Sequence, residues 1–389
     1  MKRYAQLLRA PGLIAVVLSQ LIARFPGGML SLALLIHIQR QTGNFTIPGL
    51  VLGAMSLGQA MASPINSRAM GIFGIRKVIG TLLIMSNIFI AIVALVSLEW
   101  HTLIIAGFII GCTLTPIQPA ARAVYPTLVP RKQLQSLVSL DASIQEIIWI
   151  AGPVITVMLA TQVNSTAAVL SSVLFGGFGG LWFLSRPEVG SVKLEPATGR
   201  MGAVLRKPPV LIGVVSGLLV VGSFGAIEAS TVAVFGSESD SLAGIILGLW
   251  ALTSLIGGLA MGHTPMGPWS LSRRLSIVAL GTALAMFTTD PVLLTFALLV
   301  SGIGVAPSMT VQYSIATESV NRGDIPESLG WLATGWIIGA AIASAIAGFT
   351  IDQLGPSGGF IIATVFAVAA ALVPAIFVRK LPDLRHLSH

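Results

Sequence analysis

The stretch PPVLIGVVSGLLVVGSFGAIEASTVAVF, residues 208–235, carries a single ionisable side chain, Glu228. As an α-helix it would rise about 42 Å at 1.5 Å per residue, enough to cross the roughly 30 Å hydrocarbon core of a bilayer. Its apolar residues run on continuously rather than alternating with polar ones, which excludes the strand of a membrane β-barrel. In lipid a helix also satisfies its own backbone N–H and C=O groups, so a membrane span is the reading that fits.

The rest of the chain repeats that pattern. Comparable runs lie at 12–38, 46–70, 76–98, 102–125, 136–161 and 165–185, and then at 241–263, 272–289, 291–317, 327–352 and 357–378. The expected fold is therefore an all-α membrane protein with twelve transmembrane helices. Composition agrees: 54% of the 389 residues are hydrophobic and 9% charged, against roughly 25% charged in soluble domains. An ordinary soluble enzyme is excluded. The net charge of +8 is not a nucleic-acid signal, because the basic residues sit between apolar runs rather than on one folded face. A single cysteine, Cys112, excludes an intrachain disulfide and a multi-cysteine metal site.

The first run follows Lys2, Arg3 and Arg9 but has no small-residue cleavage site, so it reads as a retained helix rather than a signal peptide. With the N-terminus inside, Arg68, Arg76, Lys77, Arg131, Lys132, Arg186, Lys193, Arg273, Arg274, Arg322, Arg379 and Lys380 fall on the cytoplasmic side, and Arg40 alone outside. The positive-inside rule then places both termini in the cytoplasm. Residues 186–207 form the longest polar stretch, dividing the chain into a bundle at 1–185, a cytoplasmic loop at 186–207 and a second bundle with a short tail at 208–389. The two halves look like a repeat. Gly111-Cys112-Thr113-Leu114-Thr115-Pro116 in the fourth span matches Gly302-Ile303-Gly304-Val305-Ala306-Pro307 in the tenth, and Gly49/Gly53 match Gly244/Gly248. Two six-helix repeats with a site near the midplane are an architecture of secondary transporters. Glycines four apart, as at Gly107/Gly111 and Gly335/Gly339, let helix backbones approach closely.

Three segments carry a family resemblance: Ala23-Arg24-Phe25-Pro26-Gly27-Gly28-Met29; Arg122-Ala123-Val124-Tyr125-Pro126-Thr127-Leu128-Val129-Pro130 leading to Gly152-Pro153; and Pro326-Glu327-Ser328-Leu329-Gly330-Trp331 through Gly348 and Asp352. On these the chain resembles the major facilitator superfamily, and within it bacterial exporter-like members, over essentially its whole length. The resemblance implies two bundles that work by alternating access, with the first, fourth, seventh and tenth helices lining a central cavity. The family's loop after the second helix is degenerate here: Ser67 and Gly71 stand where a glycine and an acid are usual, while Arg68, Gly74, Arg76 and Lys77 remain. Gly107 replaces the arginine that many proton antiporters carry in the fourth helix. Arg68, Gly74, Arg76, Lys77, Gly152 and Pro153 are accordingly gating or structural candidates.

Charged side chains inside a bilayer cost about 2.5–3.5 kcal/mol on insertion scales and normally face a cavity or a partner. Arg24 lies about 18 Å along the first span, with Gln20 one turn earlier on the same face. Gln20, Arg24, Gln118 and Gln312 fall on the helices that the resemblance assigns to the cavity and are the substrate-binding candidates. Arg24 has a second reading, as a staple for carbonyls freed around Pro26. Glu146, about 15 Å into the fifth span, and Glu228 are candidate proton carriers, Glu228 having the outer vestibule as an equal alternative. Arg122 and Asp141, at similar depths on neighbouring helices, read as a structural ion pair at the inner mouth.

No Gly-Lys dipeptide occurs, so there is no nucleotide-cradling P-loop, and the five histidines have no zinc-ligand spacing. No metal and no cofactor is expected. Asn44 and Asn164 match the glycosylation pattern in short outer loops. The expectation is a monomeric, multi-pass carrier of the inner or plasma membrane, not an enzyme. It moves a small solute by alternating access, as an efflux carrier for an amphipathic compound or metabolite, with protons as a candidate coupling ion. Uptake or facilitated passage of a sugar or nucleoside-like solute is the nearest alternative, and a non-transporting sensor on the same fold is the alternative from another class.

Overall fold

The computed structural model describes residues 10–43, 46–192, 199–235, 240–262 and 264–385. Lys2, Arg3, Arg9, Asn44, Lys193, His263, His386 and His389 lie outside the described residues. The helices are α1 (Leu13–Arg24), α2 (Pro26–Thr42), α3 (Thr46–Phe73), α4 (Ile75–Leu95), α5 (Trp100–Thr113), α6 (Ile117–Leu128), α7 (Arg131–Gln162), α8 (Ser165–Ser185) and the short α9 (Pro187–Ser191). They continue with α10 (Pro208–Phe235), α11 (Asp240–Met261), α12 (Ser270–Ala285), α13 (Pro291–Glu318), α14 (Ile325–Leu354) and α15 (Pro356–Ile376), and no strand occurs among the described residues.

Ten spans are long and apolar enough to cross a membrane, with α1 and α2 counted together as Leu13–Thr42 and α5 and α6 as Trp100–Leu128. The helices α3 and α12 occupy the expected second and ninth positions without being among the ten. The segment expected at 272–289 is helical only to Ala285, and its 16 residues rise about 24 Å. In α3, Ser56, Gln59, Ser63, Asn66, Ser67 and Arg68 dilute the apolar run. The outward side chains are what lipid requires: Leu174 is 71% exposed, Phe287 79% and Val292 74%, a surface that water would not tolerate in such quantity.

Prolines set the two interruptions. Pro26 has no N–H to offer its helix, and the first span breaks at Phe25 between α1 and α2. Pro116 pushes the residue before it out of helical geometry, so α5 stops at Thr113 and α6 starts at Ile117. The carbonyl of Cys112, next to that break, accepts from Asn66 Nδ2 at 2.8 Å. Caps define other ends. Asp290 Oδ1 accepts from the N–H groups of Val292 and Leu293 at 3.0 and 2.9 Å, with Pro291 at the first helical position. Asn164, one of the two glycosylation-pattern asparagines, caps α8 through Ala167 N–H at 2.7 Å.

The chain forms two compact units that interleave along the sequence: Met1–Pro130, Ile147–Thr198 and Arg322–Gly330 make the first, and Arg131–Glu146, Gly199–Asn321 and Trp331–His389 the second. Helices α7 and α14 thus each contribute to both.

The first unit holds a core of Leu30, Leu34, Ile38, Val51, Met55, Ile90, Val93, Leu103 and Ile110. His37, buried among them, bonds Ser165 Oγ at 3.1 Å and the Val93 carbonyl at 3.2 Å, tying α2 to α8 and α4. Helices α3 and α5 meet backbone to backbone: a Cβ on Gly107 would lie 2.7 Å from the Val51 carbonyl. The position where antiporters of the family carry arginine therefore has no room for a side chain.

Gly152 plays the same part between α7 and α2, since a Cβ there would sit 2.8 Å from the Gly28 carbonyl. Gly152→Leu is expected to force the two helices apart and cost about 1–3 kcal/mol, the usual range for overpacking. Thermal denaturation in detergent checks this: Gly152→Leu lowers the melting temperature, while Gly27→Ala, with nothing within 4 Å of the added Cβ, does not.

Candidate functional site

In the first unit, Arg24 Nη1 donates to Gln20 Oε1 at 3.0 Å, one helical turn away on α1. Gln20 is fully buried and Arg24 partly so. The pair ends at the Phe25 break, where Phe25 stacks on Phe175 of α8 with ring centroids 5.1 Å apart. Gln118 is partly buried on α6, and Arg122, one turn later, is buried. Asp141, its expected counterpart, is buried in the second unit.

The loop that follows α3 has separate jobs for its retained residues. Gly74 adopts φ +86° and ψ 151°, a conformation open to glycine and strained for other residues, and this lets α4 start directly after α3. Arg76 donates from Nε to the Leu184 carbonyl and from Nη2 to the Arg186 carbonyl, both at 3.0 Å. It caps the C-terminus of α8, where the helix dipole favours a cation. Lys77 is exposed. Arg68 points to Glu327, Nη1 to Oε2 at 2.9 Å, with the carboxylate side chain 2% exposed and the guanidinium side chain 18%. Around this pair the first turns of α14 lie directly on α3: Ser63 Oγ donates to the Gly330 carbonyl at 3.3 Å, and a Cβ on Gly330 would meet Pro64 Cα at 2.7 Å. Glu327 escaped the sequence reading as an ion-pair partner because an acid in the first turn of a helix already has a local explanation in the helix dipole.

In the second unit the first half of α7 docks on α11 through a polar ladder. Gln135 Nε2 donates to the Thr264 carbonyl at 2.7 Å, just beyond the end of α11. Ser139 Oγ donates to the Gly258 carbonyl at 2.7 Å. Glu146, 8% exposed, accepts from Ser254 Oγ at 2.8 Å. Among the described residues no salt bridge reaches this carboxyl. The neighbouring cation, Arg274 of α12, is 3% exposed and donates instead to the Pro307 carbonyl at 2.9 Å and to Thr264 Oγ1 at 2.8 Å.

Gln312 on α13 is fully buried. Its Oε1 accepts from Trp336 Nε1 at 3.2 Å, and its Nε2 has no partner among the described residues. Tyr313 meets the Trp336 ring edge-on, centroids 5.3 Å apart. The cluster fits because residue 217 is glycine: a Cβ there would lie 2.6 Å from Trp336 Nε1. Gly217→Val is expected to displace the indole and break its bond to Gln312, seen as a red-shifted Trp336 emission in a variant retaining that tryptophan alone. Glu228 is exposed on α10, with no hydrogen bond or ion pair among the described residues.

No group of three or more His, Cys, Asp or Glu suited to a metal occurs among the described residues. The structure thus brings together Gln20 with Arg24, Arg68 with Glu327, and Glu146 with Ser254, and gives Glu228 no hydrogen-bonding or charged partner among the described residues.

The sequence profile of the Major Facilitator Superfamily matches residues 16–275 and 239–388. Synaptic vesicle glycoprotein 2B of Rattus norvegicus is 31% identical over 137 residues, covering 34% of this chain and 20% of that protein. The uncharacterized MFS-type transporter YjbB of Bacillus subtilis is 28% identical over 134 residues, 33% of each chain. The matched region thus spans a fifth to a third of these relatives' own length. Among solved structures, a bacterial homologue of the iron transporter ferroportin in an outward-facing state superposes with TM-score 0.76 at 13% identity, covering 94% of this chain and 98% of that one. The Escherichia coli fucose:proton symporter FucP follows the same fold, with TM-score 0.71, 16% identity and coverage of 95% and 98%.

Proposed function

The chain belongs to the Major Facilitator Superfamily, and from that premise we propose that it is a proton-coupled efflux carrier for an amphipathic solute. A multi-pass membrane transporter, not an enzyme, is what the family and its fold give; direction, coupling ion and solute belong to the proposal. It takes the chain as twelve spans with both termini cytoplasmic, in the plasma membrane, working as a monomer by alternating access of two six-helix repeats.

The observation that carries the coupling is Glu146: a buried carboxyl in a membrane span that meets a hydroxyl rather than a cation. A carboxyl so placed can be emptied and refilled with a proton without breaking an ion pair. Buried ionisable groups in spans are functional by default because the bilayer makes them costly. The candidate solute contacts are Gln20, Arg24, Gln118 and Gln312, with Glu228 as a second proton carrier. The amide Nε2 of Gln312, unpartnered beside the Trp336 and Tyr313 rings, suits a solute that is flat, apolar and carries a hydrogen-bond acceptor. The Arg68–Glu327 pair acts as a gating latch.

A thermal-shift screen of the purified protein against amphipathic drugs, sugars, nucleosides and metabolites tests the solute class. Amphipathic compounds are expected to raise the melting temperature, and Gln312→Ala to abolish the shift. Cells expressing the protein should then accumulate less of the hit compound than cells without it. Greater accumulation would assign uptake, and binding without flux would assign a sensor.

A further inference from the structure

We propose that Ser254 is the positioning residue through which the proton on Glu146 controls the backbone of α13 at Pro307. This rests on the proton-carrying role proposed for Glu146 and adds how that proton is felt elsewhere.

Ser254 is 1% exposed and touches two elements at once. Its Oγ donates to Glu146 Oε1 on α7 at 2.8 Å and accepts from the Ala306 N–H on α13 at 3.2 Å. Ala306 directly precedes Pro307, which lies inside α13. Proline has no N–H to give the carbonyl four residues back, so Ile303 loses its helical partner. The α11 backbone packs against it there, with Gly257 pressed on the Ile303 carbonyl where a Cβ would not fit. The Pro307 carbonyl is held by Arg274. The turn of α13 around Pro307 is therefore held from outside the helix by Ser254, Gly257 and Arg274. Of these, Ser254 is the one bonded to Glu146.

A serine hydroxyl has one hydrogen and two lone pairs. With Glu146 ionised, the carboxylate is an acceptor only; the Ser254 hydrogen points to it, and an oxygen lone pair stays free for Ala306. Protonation adds one hydrogen to the carboxylate, taken from water on the open side, and turns the group into a donor as well. Its O–H can then donate to the second lone pair of the same serine oxygen, and the hydroxyl hydrogen turns away from the carboxyl. The oxygen is then shared between two donors, which loosens its hold on the Ala306 N–H, six residues before Gln312. The polar groups that face Glu146 are Ser254 from α11 and, through it, the Ala306 N–H from α13. Arg274 on α12 is engaged with Pro307 and Thr264, and Asp141 stands five residues earlier on α7 itself.

Infrared difference spectroscopy of the full-length protein in nanodiscs, titrated with pH, tests this without a known solute. The wild type is expected to show a carboxylic C=O band that appears on acidification and is missing in Glu146→Gln. Ser254→Ala should move that band to higher frequency and shift its midpoint, because the carboxyl loses its hydrogen-bonding partner, and Ser254→Thr, which keeps the hydroxyl, should restore both. Deuterium exchange in residues 303–312, corrected for intrinsic rates, should change across the titration in the wild type and not in Ser254→Ala. Absence of a band that Glu146→Gln removes would overturn the proposal together with Glu146 as the proton carrier. A band removed by Glu146→Gln but unmoved in Ser254→Ala, with exchange in α13 still following pH, would overturn the role of Ser254 and leave Glu146 as carrier.

Discussion

Glu327→Ala is expected to destabilise the first unit by about 3 kcal/mol, the low end of the range for removing one partner of a buried ion pair. The low end applies because Arg68 keeps 18% of its side chain exposed while Glu327 keeps 2%, so the orphaned guanidinium can recover part of its hydration. The charge-neutral Glu327→Gln preserves shape and should cost less. A cycle with Arg68→Gln separates the pair from the packing around it: the double variant should be more stable than the sum of the singles allows, since neither then leaves a lone buried charge. The charge exchange Arg68→Glu with Glu327→Arg should recover part of the loss. The functional consequence follows from α14, whose first turns belong to the first unit and the remainder to the second. The Arg68–Glu327 pair, proposed above as a latch, joins those first turns to α3. A loss of about 3 kcal/mol changes a two-state equilibrium by roughly 100-fold, so Glu327→Ala should also shift the carrier strongly toward its unlatched state. Deuterium exchange in residues 325–330 checks it: exchange there should rise when Glu327 is replaced. An additive cycle and unchanged exchange would reduce the pair to a packing contact.

Glu146→Gln is expected to abolish the response of transport to a pH gradient while leaving the fold intact. Glutamine has the same shape, and its Oε1 can still accept from Ser254, so the α7–α11 ladder of Gln135, Ser139 and residue 146 survives. What is lost is the carboxyl proposed to carry the proton. Flux should fall to the rate seen without a gradient, and the melting temperature should stay near that of the wild type. Ser139→Ala is the contrast, since it weakens the same helix contact without touching the carboxyl: it should lower stability by about 1 kcal/mol, a typical net value for a hydrogen bond, and keep the gradient response.

Much of this molecule is legible in its sequence because lipid imposes a simple rule. A run of about 20 apolar residues has few alternatives to a helix, so the helical segments fall close to where hydropathy puts them, although the runs at 12–38 and 102–125, read as single spans, each divide in two, at Phe25 and before Ile117. The Gln20–Arg24 contact is legible as well, being local and one turn apart. Pairs distant in sequence are not. Arg68 and Glu327 are separated by 259 positions, and each has an ordinary explanation by itself. Ser254 looks like one of many hydroxyls in an apolar helix until the structure sets it between Glu146 and Ala306. Nor does periodicity reveal that residues 131–146 and 322–330 pack with the unit opposite to the rest of their own helices. That division follows from small residues such as Gly152, Gly258 and Gly330 meeting particular partners, which is a three-dimensional fact.

Flux in proteoliposomes under an imposed pH gradient tests proton-coupled transport most directly, with the thermal-shift hit as solute and the wild type compared with Glu146→Gln and Glu228→Gln. Uphill movement of the solute driven by the gradient, lost in Glu146→Gln, is the expected result. Flux indifferent to the gradient, and unchanged by either substitution, would contradict it.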